Sequence, residues 1–322
     1  MIIIDGAFEE GGGQIIRTSM ALSAITQKPI EIIHVRANRE RPGLQPQHLT
    51  ACLAVREITN GNLRFATLKS QHFTFEPGPI KGGMYEFKIG TAGSATLVAQ
   101  TVLPILLHAK EPSEIIIYGG THLTHSPSFD YFQKVFEPAL RLFGIHMEST
   151  LHNCGFYPKG GGKIAIKIAP QPILGNSNWN APNYLQGIIR LVGLPEHIAQ
   201  RELKILQANG IQDIEIYHQQ YNLSPGNSIL LWAPYVGGSG LGERGKPAEK
   251  VAEEALKAYK LENSEIDCHL ADQLLLYAAL AKGQTQYTTS LHTSHLITNA
   301  HIINQFLRRN ITLGPNGLVS IQ

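Results

Sequence analysis

The chain has 322 residues, 43% of them hydrophobic and 16% charged, with a formal net charge of +2. This is a folded composition, long enough for one large domain with an insertion or for two domains, and it excludes a disordered chain. A charge so near zero also excludes a protein that coats nucleic acid by bulk attraction, so any nucleic acid must be gripped by a local patch.

Residues 2–4 read as a first strand. The acid at Asp5 and the lack of a basic leading region argue against a signal peptide. The glycine turn Gly11-Gly12-Gly13 opens a helix over about 14–26, with Ile15, Ile16, Met20 and Leu22 on its apolar side. A strand at 30–35, a basic loop, a helix at about 48–59 and strands near 73–75 and 84–89 follow. The order then recurs: a Gly90-Thr91-Ala92-Gly93-Ser94 turn, a helix at 95–107, a strand at 114–118, a helix at 128–143, and strands at 145–151 and 163–168. The helix starts near Gln14 and His48 lie 34 residues apart, as do those near Ser94 and Ser128, which is the mark of an internal duplication. A third copy spans a helix at 270–280, a strand at 286–289, a helix at 294–307 and a strand at 318–321. Between the second and third copies lie a strand at 185–191, a helix at 196–208, strands at 211–217 and 228–233 and a helix at 248–260. Asn, Pro and Ser residues precede that stretch, as in linkers. The expected fold is α/β (α+β): a large domain of three βαβαββ repeats over residues 1–180 and 267–322, with a smaller inserted α/β domain over 181–266. Cys52, Cys154 and Cys268 lack CxxC spacing, which fits a reducing, cytoplasmic setting. No apolar run is long enough to span a bilayer.

Four constellations could carry chemistry. In Ser290-Leu291-His292-Thr293-Ser294-His295, Thr293 or Ser294 is a good N-cap, and His295 then falls in the first turn of the following helix. The positive end of the helix dipole disfavours imidazolium there and keeps a ring nitrogen free as a nucleophile; an ordinary capping-region histidine is the plainer reading. In Glu9-Glu10-Gly11-Gly12-Gly13-Gln14, glycines before a helix admit a phosphate, Glu10 could hold a divalent cation, and Arg17 sits one turn in. No Lys-Ser/Thr follows, so this is not a Walker A loop. Arg36, Arg39 and Arg41 lie in one strand-to-helix loop that ends at Gln47 and suits a terminal phosphate, although most such charge runs are solvated. Asp272 opens the third copy's first helix, in Cys268-His269-Leu270-Ala271-Asp272-Gln273, and could orient His295. Gln100 is a polar residue among Leu97, Val98, Val102 and Leu103, which reads as exposed. The pairs His292/His295 and His122/His125 have HxxH spacing but no third ligand nearby, so a metal at either is disfavoured. The His122–His125 loop reads as a rim of the site.

Taken together, these segments resemble the RNA 3'-terminal phosphate cyclase family. The resemblance rests on DGAFEEGGGQIIR (5–17), VRANRERPGLQPQHL (35–49), GTAGSATLVAQTVLP (90–104), GFYPKGGG (155–162), LADQL (270–274) and HLITN (295–299), in register along nearly the whole chain. It implies the repeated fold of the cyclase and enolpyruvyl transferase type. It also implies ATP-dependent conversion of an RNA 3'-terminal phosphate to a 2',3'-cyclic phosphate, through AMP on His295 and an RNA-ppA end. Glu10 is then the metal-ligand candidate, for Mg²⁺ or Mn²⁺. Arg17, Arg36, Arg39 and Gln47 match positions associated with the RNA phosphate. Gln100, Pro127, His269, Asp272 and Gln273 match the nucleotide site, with His269 standing where the family pattern has Tyr. The partners implied are ATP and RNA with a 3'-phosphate end, with no membrane and with room for a homodimer. The rival reading is a non-catalytic, cyclase-like protein of ribosome assembly, which lacks the nucleophilic histidine.

Overall fold

The computed structural model describes residues 1–180, 184–220 and 223–322; the expected domain boundary at 181 lies outside them. The first repeat is β1 (Ile2–Asp5), α1 (Gly13–Thr26), β2 (Ile30–Ile33), α2 (Pro46–Thr59), β3 (Asn62–Arg64) and β4 (Phe73–Glu76). Its sheet order is β1-β2-β4-β3, with β1 and β2 parallel and the other pairs antiparallel. The second repeat is β5 (Gly83–Lys88), α3 (Ala95–Leu106), β6 (Ser113–Gly119), a three-part helix, β7 (Met147–Asn153) and β8 (Gly162–Ile168). Its order, β5-β6-β8-β7, has the same pairing senses. The duplication read from helix spacing is thus a duplication of topology. The helix expected over 128–143 is α4 (Phe129–Tyr131), a π turn (Phe132–Phe136) and α5 (Glu137–Leu142).

The inserted elements are β9 (Gln186–Val192), α6 (His197–Ala208), β10 (Asp213–Gln219), β11 (Gly226–Ala233), β12 (Val236–Leu241) and α7 (Ala248–Leu261). They form a sheet of order β10-β9-β11-β12. Strand alternation sends Ile189, Leu191, Ile229 and Leu231 to one side, where they pack with Ala199, Leu206, Val251 and Leu256 of α6 and α7. Ile188, Leu230 and Trp232, on the other face, join the main core together with Phe132 and Val135.

The third repeat departs from expectation. It comprises α8 (Cys268–Leu280), β13 (Thr285–Thr288), α9 (Ser294–Phe306), β14 (Ile311–Leu313) and β15 (Leu318–Ile321), in a three-stranded antiparallel sheet of order β13-β15-β14. Among the described residues it has no first strand of its own. Two pieces of chain fill that place beside β13. Before the insert, Gly175 N–H donates to Lys282 O at 2.9 Å and Gln286 N–H to Asn176 O at 3.1 Å. After the insert, Ile266 forms a parallel bridge with Thr289. The insert therefore interrupts the first strand of the third repeat. Strands β3, β12 and β14 also lie outside the elements expected from sequence. Helix α1 packs on α2, α3 and α9, and α9 packs on α8, so the N-termini that carry Gln14 and His295 belong to one helical layer.

Candidate active site

Thr293 caps α9: its hydroxyl accepts from Leu296 N–H at 3.0 Å and donates to Asp272 Oδ1 at 2.6 Å. His295 follows in the first turn. Its Nδ1 lies 2.8 Å from Glu10 Oε1. Both atoms are buried and neither has a well-angled hydrogen bond, so this is a close electrostatic approach. Glu10 Oε2 lies 3.0 Å from Arg39 Nη2 and accepts from Ser294 Oγ at 3.5 Å. Burial holds His295 below the ordinary imidazole range against the pull of Glu10, and Arg17 and Arg39 push the same way as burial. A neutral ring results, with a nitrogen lone pair available at neutral pH.

The glycine turn makes room for these groups. A Cβ on Gly12 would sit 2.4 Å from Glu10 Oε1 and 3.1 Å from Arg39 Nη2. One on Gly13 would sit 2.4 Å from His48 Nε2 and 3.0 Å from Arg17 Nη1. Arg17 donates to Gln14 Oε1. Burial lowers its pKa to about 10, opposed by Glu10, and it stays charged at neutral pH. His48 was not singled out from sequence. It is buried against Gly13, and its Nδ1 accepts from Gln45 N–H at 3.3 Å. Burial, then Arg17 and Arg36, hold it at about 3, so it is a neutral wall beside two guanidinium groups. Pro46 at the start of α2 places His48 at the third helical position, the one local signal in the sequence.

Behind the site, Asn299 ties three helices together. Its Oδ1 accepts from Gln14 Nε2 at 2.9 Å and from Thr18 Oγ1 at 2.7 Å, and its Nδ2 donates to Asp272 O at 2.9 Å. Gln100 is not exposed as expected. It is part-buried and donates to Gln273 Oε1, whose own amide holds His269 O at 2.9 Å. Gln14, Arg17, Gln100, Asp272, Gln273 and Tyr277 line one cleft. Burial raises Asp272 to about 8 despite its bond from Thr293, with Asp267 and Glu10 adding to the rise, so it is mostly protonated at neutral pH.

The remaining candidate residues make contacts of their own, while Arg36 and His269 still act electrostatically on His48 and His295. Arg36 donates to Arg41 O at 2.6 Å and Gly43 O at 3.1 Å, knitting its own loop. Gln47 accepts from Ser94 N–H at 2.8 Å at the start of α3. Pro127 O accepts from Thr96 Oγ1 at 2.8 Å. His269 has an exposed ring. His122 is fully buried on Asp130 while His125 is exposed, so that pair does not converge. Among the described residues no three acidic, histidine or cysteine side chains gather as a metal cage. Glu10 Oε1, buried without a hydrogen bond, fits a cation that draws its remaining ligands from phosphate oxygens.

Residues 8–313 match the family described as RNA 3'-terminal phosphate cyclase. The chain belongs to the RNA 3'-terminal phosphate cyclase family. Curated relatives of that name include proteins from Archaeoglobus fulgidus, 40% identical over 99% of both chains, and Pyrococcus furiosus, 42% identical over 95% of this chain and 93% of that one. Another, from Koribacter versatilis, is 43% identical over 95% of this chain and 90% of its own. Like them, this chain is an enzyme. Among solved structures, the enolpyruvyl transferase NikO from Streptomyces tendae aligns with all of this chain at a TM-score of 0.44 and 10% identity. This chain spans about half the length of NikO (48%), and so distant a likeness adds nothing to the topology described above. The span matched to the cyclase family contains the whole cluster from Glu10 to His295. No helix among the described residues is long and apolar enough to cross a membrane.

Proposed function

We propose that this cyclase converts the 3'-terminal phosphate of RNA to a 2',3'-cyclic phosphate with ATP, carrying AMP on His295. The observation that supports this most is the neutral His295 ring at the N-terminus of α9, with Nδ1 turned to Glu10 and Nε2 left as the nucleophile. Nε2 attacks the α-phosphorus of ATP; an N–P bond forms, the bond to the β-phosphate oxygen breaks and pyrophosphate leaves. An oxygen of the RNA 3'-phosphate then attacks the same phosphorus, the N–P bond breaks and His295 is restored. The 2'-hydroxyl attacks the 3'-phosphorus, loses its proton and expels AMP. A phosphate monoester has no good leaving group of its own, which is why AMP is installed first. Mg²⁺ or Mn²⁺ held by Glu10 would neutralise phosphate charge. Arg17 and Arg39 offer cationic donors beside the nucleophile, and the cleft of Gln100, Asp272 and Gln273 offers polar contacts for the nucleotide. Arg36, Gln47, Pro127 and His269 belong to the same proposal as outlying contacts to RNA or nucleotide. We include in it a catalytic body of residues 1–180 and 267–322 with an insert at 181–266, supported by the insert's own sheet and second core. We also include a cytoplasmic setting, supported by three thiols free of disulfides.

Incubation with α-labelled ATP and Mg²⁺, without RNA, tests this. Wild-type protein is expected to retain an acid-labile label that His295→Ala lacks. Cyclisation is expected of RNA ending in 3'-phosphate and not of RNA ending in 3'-hydroxyl. An unlabelled wild type would instead support the non-catalytic, ribosome-assembly reading.

A further inference from the structure

The terminal phosphate of an RNA is bound to a strand that must leave the site over its rim. The rim is built at one end of the first sheet. The glycine turn follows β1, and the arginine loop, residues 34–45, follows β2, its parallel neighbour. Strand β4 runs antiparallel to β2, with Phe73 opposite Ile32, so the 65–72 loop before β4 lies at that same end.

The two loops are bonded to each other. Lys69 N–H donates to Leu44 O at 2.8 Å, Leu44 N–H to Ser70 O at 3.0 Å, and Val35 N–H to Gln71 O at 2.9 Å. A Cβ on Gly43 would lie 2.2 Å from Lys69 O, so the contact leaves no slack. On this fixed ledge Phe65 is 66% exposed and Leu68 56% exposed. Phe65 also holds φ at +63° and Lys69 at +67°. A bulky residue in the left-handed region is strained, and burial of the ring does not offset that here. Phe65 lies against His72, ring centroids 5.7 Å apart and tilted by 30°, yet still faces solvent, and strain kept at such a ring points to function rather than to folding. Arg41 and Lys69 are exposed, and neither forms an ion pair among the described residues.

We propose that the 65–72 loop is a platform for the RNA nucleotides that precede the terminal one. The Phe65 ring stacks a base, and Lys69 and Arg41 meet backbone phosphates. An aromatic face flanked by cations suits single-stranded RNA without regard to sequence. Continuity with the loop that carries Arg39, itself 3.0 Å from Glu10, gives the strand its path to the site.

The proposal rests on the cyclase reading, and the test separates the two. Phe65→Gly removes the ring and relieves the backbone strain, so the melting temperature is expected to hold or rise. Adenylation with ATP alone and the KM for a nucleoside 3'-monophosphate are expected to stay within about twofold of wild type, while the KM for an oligonucleotide of about ten residues rises about tenfold. Phe65→Trp is expected to restore it, and Lys69→Ala to raise it less. A 5-iodouridine placed next to the terminal nucleotide is expected to crosslink to residues 65–72. Equal KM values for wild type and Phe65→Gly on the longer RNA would overturn the platform. Should adenylation itself be absent, the cyclase reading falls, and the platform is decided by anisotropy: unchanged affinity of Phe65→Gly for the same oligonucleotide rejects it, and weakened affinity supports it.

Discussion

Glu10 and His295 come from the first and third repeats and meet at 2.8 Å, so the proposed nucleophile exists only once the repeats have packed. Burial lowers the pKa of His295 from 6.5. In the proposed mechanism the neutral form is the nucleophile, and it persists as pH falls until the lowered pKa is reached. The acid limb of the adenylation rate, measured without RNA, is therefore expected below pH 6.5; a limb at or above that value would contradict the burial argument. Asp272 gives a second test. At about 8, its carboxyl is mostly protonated at neutral pH while its Oδ1 accepts from Thr293. Asp272→Asn keeps an acceptor without a charge, whereas Asp272→Ala frees the cap of α9. Alanine is expected to cost about 1 kcal/mol of stability and to slow adenylation, and asparagine to cost much less. Equal losses in thermal melts and single-turnover labelling would show that the carboxylate charge matters instead.

At the scale of elements, the repeat frame was legible because its signals are strong. The burial of β6 alternates along its whole length, and Ser94 caps α3 through Leu97 N–H at 3.2 Å. Strand β12 was not legible, since Val236-Gly237-Gly238-Ser239-Gly240-Leu241 has few side chains with which to show a period. Those glycines answer to packing. A Cβ on Gly238 would lie 2.2 Å from Tyr259 N, and one on Gly240 2.1 Å from Val251 O, both on α7. The first strand of the third repeat was illegible because its two pieces lie on either side of the insert. In the site, Glu10, Arg17 and His295 announced themselves as polar groups at helix starts. Gln100 read as exposed because its partner Gln273 is remote in sequence, and Pro46, the one local signal near His48, fixes its helical position but not its burial. Gly240→Ala is expected to destabilise by about 2 kcal/mol, because the clash is with backbone that cannot step aside. An unchanged urea midpoint would show that α7 sits more loosely on β12 than its spacing implies.

Across the whole molecule, the insert is held to the second repeat by a buried ion pair. Arg190 of β9 donates through Nε to both oxygens of Asp130 on α4, at 2.8 and 2.7 Å. The same carboxylate meets His122 Nε2 at 3.0 Å, and Thr121 Oγ1 meets His122 Nδ1 at 2.8 Å. Asp130 and His122 are almost fully buried. Phe129 N–H donates to Thr121 O at 2.8 Å, closing the loop that carries Pro127. Burial alone would raise the Asp130 pKa, but His122 and Arg190 hold it at about 2. Its contribution to stability is therefore fully present above the unfolded value, near 3.8, and is lost as pH falls toward 2. Arg190→Met removes the guanidinium and keeps the packing of its stem. The variant is expected to lose about 3 kcal/mol at neutral pH, since a charge is left buried with one partner fewer. The Asp130 pKa then rises, so the acid-side loss of stability begins at higher pH than in wild type. Melting temperatures followed from pH 7 downward read both effects. A constant offset between the two curves would mean that Arg190 contributes by packing alone. Curves that diverge in the neutral range and converge once Asp130 is protonated in both proteins would establish the ion pair as the tie between insert and repeat.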